Sequence, residues 1–386
     1  MLRGFFYGKQ PKRMKKTHRL ITYVLVAIII PMAGWGSRPA MGRSITDAAG
    51  RDVSVPDTVD HVICSGAGIL RLLTYLDGQD RIVAVDDMET RRPQFDARPY
   101  ALANPRFKAL PVFGGFRGHD HPERILTLDP LPQVIFKARS STGYDPEELA
   151  IKTGLPVVVL NTGDLGRHRP DLYQALRIMG TVMGQSPRAE AVIAFFEQRI
   201  HDLEARTRHT PADKRPGCFV GGIAYRGPHG FQSTEPAYPP FTFVNVRNLA
   251  GPAGSGTENL SHSSVAKEQI VVWNPDRLFL DLSTLQMGGQ AGGWHELKTD
   301  PAYRGLSAVQ EGRVYGLLPY NWYSCNFGSI LANAYYIGKC VYPEAFADTD
   351  PVAEADRIYT YLVGQPVFAT MNKSFGEMVF RPVPLR

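Results

Sequence analysis

Ser186-Pro-Arg-Ala-Glu-Ala-Val-Ile-Ala-Phe-Phe-Glu-Gln-Arg-Ile-His-Asp-Leu203 is the stretch around which the rest of the chain is organised. Val192, Phe196, Ile200 and Leu203 fall on one stripe and the other faces carry charges of both signs, so the segment reads as one amphipathic helix. It runs for about 20 residues, or roughly 30 Å. Ser186-Pro187 reads as its cap. Just upstream, Leu172, Leu176, Met179 and Met183 mark a shorter helix that stops at Gly184.

On both sides of this helical pair the pattern changes. Residues 45–56 (ITDAAGRDVSVP) read as a β-hairpin turning at Gly50. Strand-like runs at 61–64 and 81–85 flank a helical run at 68–76. Runs at 133–138 and 156–160 flank a helix opened by Asp145-Pro146-Glu147-Glu148, an N-cap with Pro at the first helical position. Strand-rich sequence resumes at 218–223 and alternates with helices to the end. Such alternation builds parallel sheets. Glu123-Arg-Ile-Leu-Thr-Leu-Asp-Pro130 and Glu268-Gln-Ile-Val-Val-Trp-Asn-Pro275 share one pattern, each followed by an apolar strand. The expected fold is therefore α/β: two Rossmann-like lobes with mainly parallel sheets joined by a single long α-helix. The expected boundaries are 44–168 for the first lobe, 169–210 for the helical segment and 214–386 for the second lobe.

The 386 residues, 44% apolar and 21% charged, suffice for a large core and exclude a disordered or coiled-coil chain. The net charge of +6 suggests a nucleic-acid partner, but residues 1–42 hold eight basic residues and no acid. Without them, 35 basic residues face 37 acidic ones, so no nucleic-acid partner is expected. Lys12-Arg13-Met14-Lys15-Lys16, an apolar run from 20 to 33 and small residues at Ala40 and Gly42 read as a cleavable secretory signal. The expected location is the periplasm. In that oxidising compartment Cys64 and Cys218, each in an apolar strand, read as buried small hydrophobes. Cys325 and Cys340 are left open to pairing.

No nucleophile elbow, phosphate-binding loop, zinc-protease motif or complete dinucleotide fingerprint is present, so no enzyme is expected. Gly66-Ala67-Gly68 reads as a tight strand-to-helix turn with backbone N–H groups facing a ligand. His119-x-His121 reads as a polar loop. The informative residues lie where strands end: Phe116, Arg117 and Arg139 in the first half, and Tyr225, Arg226, Tyr238, Tyr320, Trp322 and Tyr323 in the second. Ligands of open α/β sheets bind outside the carboxyl ends of the strands. Aromatic walls bury a flat or apolar ligand, and arginines hold its anionic groups. Glu123 and Glu268 open corresponding helices, where the helix dipole favours an acid. The identity of the two also suits docking on two arginines of a two-fold partner.

The hairpin 45–56, the unit 123–130, the helix after Gly184-Gln185-Ser186-Pro187, and Pro301-Ala-Tyr-Arg-Gly-Leu-Ser-Ala-Val-Gln-Glu-Gly-Arg-Val-Tyr315 occur in one order. In this the chain resembles the substrate-binding proteins of ABC importers for iron-siderophore complexes, haem and cobalamin. The resemblance covers nearly all of residues 44–364. It implies a monomeric receptor with a rigid bridging helix, a metal-chelate ligand and no resident cofactor. It also implies delivery to an ABC permease and its ATPase, docked through Glu123 and Glu268. Two other classes remain in play: a receptor for a free metal ion, and an exported metallocluster redox protein on the same scaffold with Cys64 and Cys218 near the cluster.

Overall fold

Val157-Val-Val-Leu160 is a run of four buried apolar residues, the signature of a strand covered on both faces. It is the edge of the first of two mainly parallel sheets in the computed structural model, which describes residues 42–140, 142–251, 254–257 and 259–385. The leader at 1–42 lies outside them, apart from its last residue. Strands β1 (Gly42–Thr46) and β2 (Asp52–Pro56) form the expected hairpin, with Gly50 at φ 77° in its turn. The first sheet contains β3 (Val62–Ser65), β4 (Ile82–Asp86), β5 (Val112–Gly115), β6 (His119–Asp120), β7 (Val134–Ala138) and β8 (Val157–Leu160), in the order β6-β5-β4-β3-β7-β8. All its pairings are parallel except that of β5 with β6. In the second half, β9 (Gly217–Gly221) pairs in parallel with β11 (Arg247–Asn248) and β13 (Arg277–Asp281). Strand β14 (Val314–Leu317) lies beyond β13, giving the order β11-β9-β13-β14. A small antiparallel pair, β10 (Ser233–Thr234) with β12 (Ser263–Ser264), lies outside that sheet.

The helix Ser186–Thr207 runs for 22 residues between the two sheets. Its stripe is buried as expected, including Val192, Phe196, Ile200 and Leu203. The expected cap is not made: Ser186 is already helical, and Gln185 precedes it without a side-chain capping bond. Pro187, which needs no N–H partner in the first turn, opens the helix instead. The helix Arg169–Met183 packs beside it and ends at Gly184, in the left-handed region at φ 68°.

The long helix is not the only tie between the halves. Phe196 meets Tyr75 of the helix Ile69–Tyr75 and Phe327 of the helix Phe327–Val341 edge-on, with ring centroids 6.2 and 6.1 Å apart. One apolar core runs from Val55 to Val383 through that cluster. Arg71, 1% exposed, reaches across the same seam. Its Nε donates to Asn326 Oδ1 at 3.1 Å, and its two terminal nitrogens donate to the carbonyls of Tyr323 (2.8 Å) and Cys325. Cys325 and Cys340 stand at opposite ends of the helix Phe327–Val341, about 20 Å apart by helix geometry, and all four cysteines are free thiols. Among the described residues no helix is long and apolar enough to cross a membrane.

Candidate functional site

The carboxyl ends of β3, β5 and β7 face those of β9 and β14, and the loops that leave them enclose a cavity of about 500 Å³. Arg117 follows β5, Arg139 follows β7 and Arg226 follows β9; all three line this cavity. So do Gly66 and Ala67 after β3, Lys137, and the hydroxyl residues Ser140, Thr142, Thr162 and Ser324. No aromatic ring is among its described lining residues.

The backbone at this point is unusual. Arg117 (φ 60°), Arg226 (φ 57°), Tyr323 (φ 49°) and Ser324 (φ 71°) all sit in the left-handed region. Each such non-glycine residue costs of order 1 kcal/mol and persists only where surrounding contacts impose it. For Arg117, Tyr323 and Ser324 those contacts are visible. Tyr323 donates its hydroxyl to Asp86, at the end of β4, and its oxygen accepts the Arg117 N–H at 3.2 Å. The Phe116 N–H donates to Asp87 at 2.7 Å. Asn326, fully buried, donates to the carbonyls of Tyr320 and Trp322 at 3.0 Å each and accepts from Arg71, which folds residues 320–326 into a fixed turn. Two acids after one strand and one arginine across the seam therefore hold the loops that carry Arg117 and Ser324.

The electrostatics are one-sided. Lys137, 3% exposed, is neutralised by Asp120 at 2.5 Å and also donates to Ser65 Oγ and the Gly118 carbonyl. Among the described residues Arg139 donates to the Ala48 carbonyl alone, at 3.0 Å. Arg117 lies over the Phe116 ring, and Arg226 over Tyr225, at 5.3 and 5.4 Å. None of the three arginines has a carboxylate partner among the described residues. The cavity therefore presents three uncompensated guanidinium groups, each able to grip an oxyanion through two parallel N–H bonds.

The aromatic candidates are dispersed. Phe116 is half-buried between Arg91 and Arg117, and Tyr225, 41% exposed, stacks on His262 at 4.2 Å. Trp322 meets Phe375 edge-on at 5.9 Å. Tyr238, 1% exposed, packs on Phe241 and Tyr320 inside the second half. Tyr320, 3% exposed, donates its hydroxyl to Glu235 and borders a different cavity of about 580 Å³ beside the 163–169 loop. Burial pushes the carboxyl groups of Asp86 and Asp281 up to about 7 and that of Glu235 up to about 8, with nearby acids adding to the shift of Asp86 and Glu235.

Glu123 and Glu268 are both exposed, each the second residue of its helix, Pro122–Ile125 and Lys267–Trp273. Cys64 and Cys218 are buried in different sheets, so they do not converge on a cluster. Among the described residues no group of three His, Cys, Asp or Glu side chains can hold a metal ion. His119 and His121 are exposed. Sequence reasoning missed Lys137, Thr162, Ser324 and the positioning pair Arg71 and Asp86. Only Lys137, a lone charge inside the apolar Val134–Ala138, leaves a visible trace.

Two mainly parallel sheets whose strand ends share one cleft and that are bridged by a long helix have the architecture of a solute-binding protein. A family model described as Periplasmic binding protein matches residues 62–320, and the chain belongs to that family, whose members are periplasmic substrate-binding components of ABC transporters. No curated protein matches the sequence. Among solved structures, the molybdate-bound MolA of Haemophilus influenzae is similar at 18% identity, with a TM-score of 0.62 over 84% of this chain and 98% of that one. A periplasmic solute-binding protein of Veillonella parvula is similar at 17% identity and TM-score 0.65, over 88% and 98%. The periplasmic haem-binding protein HutB of Vibrio cholerae is similar at 18% identity and TM-score 0.52, over 73% and 99%. At these identities the likeness concerns the fold.

Proposed function

We propose that the protein captures an iron chelate, a siderophore or similar anionic metal complex, in the cavity at the strand ends and releases it unchanged to its permease. The supporting observation is the convergence of Arg117, Arg139 and Arg226 from both halves on one cavity, without a carboxylate partner among the described residues. In this reading residues 1–42 export the protein to the periplasm, where it works as a monomer without a resident cofactor. Glu123 and Glu268, exposed at corresponding positions of the two halves, dock on the permease. No bond is made or broken; affinity comes from charge pairing in a preformed site.

A second reading, capture of a bare oxyanion, is supported by the lining of hydroxyls, glycines and arginines, and by the molybdate bound to the Haemophilus influenzae relative. Thermal-shift screening separates the two. A ligand present at 100 times its Kd stabilises by about 2.7 kcal/mol. Ferric catecholate and citrate complexes should raise the melting temperature on the first reading, and molybdate or tungstate alone on the second. Stabilisation only by neutral or cationic compounds would refute both.

A further inference from the structure

We propose that the cleft has a second, apolar subsite, and that the solute is an anionic chelate bearing an apolar arm. The inference rests on the reading above, in which the arginine-lined cavity takes the anionic end. The subsite is a cavity of about 610 Å³ whose largest walls are the apolar Phe95, Leu285, Trp294 and Met378; Gln94, Gln286 and Ser374 also border it, and Lys373 is the only charged residue among its described lining.

Its walls come from the same ends of the two sheets as the basic cavity, but from other strands. Phe95 lies in the segment after β4, and Leu285 in the turn Leu282–Met287 directly after β13. The C-terminal segment runs back along β14, with Phe380 N–H donating to Gly316 and Val383 N–H to Val314 at 2.9 and 2.8 Å. That register sets Met378 against Gly316, near the carboxyl end of β14. Both sheets thus contribute to the apolar cavity, as they do to the basic one.

One loop links the two. Tyr323, whose hydroxyl holds the Arg117 backbone, adjoins Trp322. The Trp322 ring meets Phe375, and Phe375 stacks on Phe95 at 5.4 Å. Residues 320–326 therefore separate a basic compartment from an apolar one within the cleft. Trp294 stays half-exposed at the wall, its Nε1–H donated to the Pro384 carbonyl at 3.0 Å, so its ring is fixed before any solute arrives. A hydrophilic chelate leaves this compartment wet. A chelate with an alkyl or aryl arm fills it and removes apolar surface from water.

The test compares two probes of equal charge, the iron(III) complexes of catechol and of 4-tert-butylcatechol, titrated calorimetrically into the full-length protein. Wild type should bind the tert-butyl complex about tenfold more tightly, the gain expected from burying a few methyl groups. Leu285→Asp or Trp294→Ala should bring the two affinities within about twofold, with melting temperatures recorded to confirm folding, whereas Arg226→Ala should weaken both complexes by the same factor. Equal affinities in wild type, or a preference that survives both substitutions, would overturn the apolar subsite and leave the arginine reading standing. If neither complex binds, or binding ignores Arg226→Ala, the underlying reading fails and the inference falls with it.

Discussion

Arg71→Met removes a cation that one helix of the first half sends into the 320–326 turn of the second. Methionine keeps an unbranched apolar stem of similar length, so the change chiefly removes the guanidinium. Three acceptors lose their donor: Asn326 Oδ1, the Tyr323 carbonyl and the Cys325 carbonyl. Each bond to a charged donor is worth about 1.5–3 kcal/mol, and partial exposure of the two carbonyls lets water recover some of that loss. The ring of Tyr100, 5.2 Å below the guanidinium, loses a cation–π contact worth about 1 kcal/mol. We expect a loss near 4 kcal/mol in denaturant unfolding. Ligand affinity should fall as well, because Tyr323 and Ser324 no longer have their left-handed backbone imposed on them. Arg71→Lys should recover only part of either loss, since a point charge cannot meet three divergent acceptors. A stability loss below about 1 kcal/mol for Arg71→Met would refute the claim that this side chain fixes the turn.

Other measurements bear on separate parts of the account. Arg117→Ala and Arg226→Ala should each weaken ligand binding at least tenfold with little change in melting temperature, because both side chains are exposed; a large melting shift would return them to a structural role. Asp86, Asp281 and Glu235 have folded pKa values raised by burial above their unfolded ones, so the stability they allow is complete below about pH 4 and is lost as pH rises through 7 to 8. Melting temperature should therefore fall between pH 5 and pH 8.5, and Glu235→Gln should lessen the fall; a rise over that window would contradict the assignment. The double substitution Glu123→Ala with Glu268→Ala should abolish uptake in cells while leaving Kd unchanged, and wild-type transport would end the docking reading.

The parts of the fold that were legible in the sequence are those where local pattern and tertiary burial agree. Val192, Phe196, Ile200 and Leu203 announce their helix because the buried stripe has the helical period. Residues 157–160 announce their strand because both faces are covered. Strand β5 was hidden. Its Gly114-Gly115 reads as a loop, yet a Cβ at Gly114 would lie 2.7 Å from the His119 carbonyl oxygen, so the close return of β6 requires glycine there. Arg117, Arg139 and Arg226, read from the sequence as strand-end residues, do line one cavity, because the loops after β5, β7 and β9 converge there. Tyr238 and Tyr320 illustrate the opposite case. A loop aromatic can turn either way, and both are drawn inside by packing that involves residues far away in sequence. Arg71 and Asp86 were invisible for a related reason: their partners lie more than 230 residues along the chain.

The positions of the strained residues argue that the cavity is set before the solute arrives. Four non-glycine residues with left-handed backbone lie in or beside it, and three of them, Arg117, Arg226 and Ser324, line it. A loop free to rearrange on binding would relax out of such conformations. Arg117, Tyr323 and Ser324 are held instead by Asp86 through Tyr323, by Asp87 through Phe116, and by Arg71 through the carbonyls of the 320–326 turn. The free energy spent on that strain is supplied by the continuous core beneath the seam, where Tyr75, Phe196 and Phe327 meet. Binding then needs little ordering of arginine loops, so the attraction of three like charges for an anion is available almost in full. It follows that loosening the seam should weaken binding even at sites that never touch the solute, and that tightening it should not.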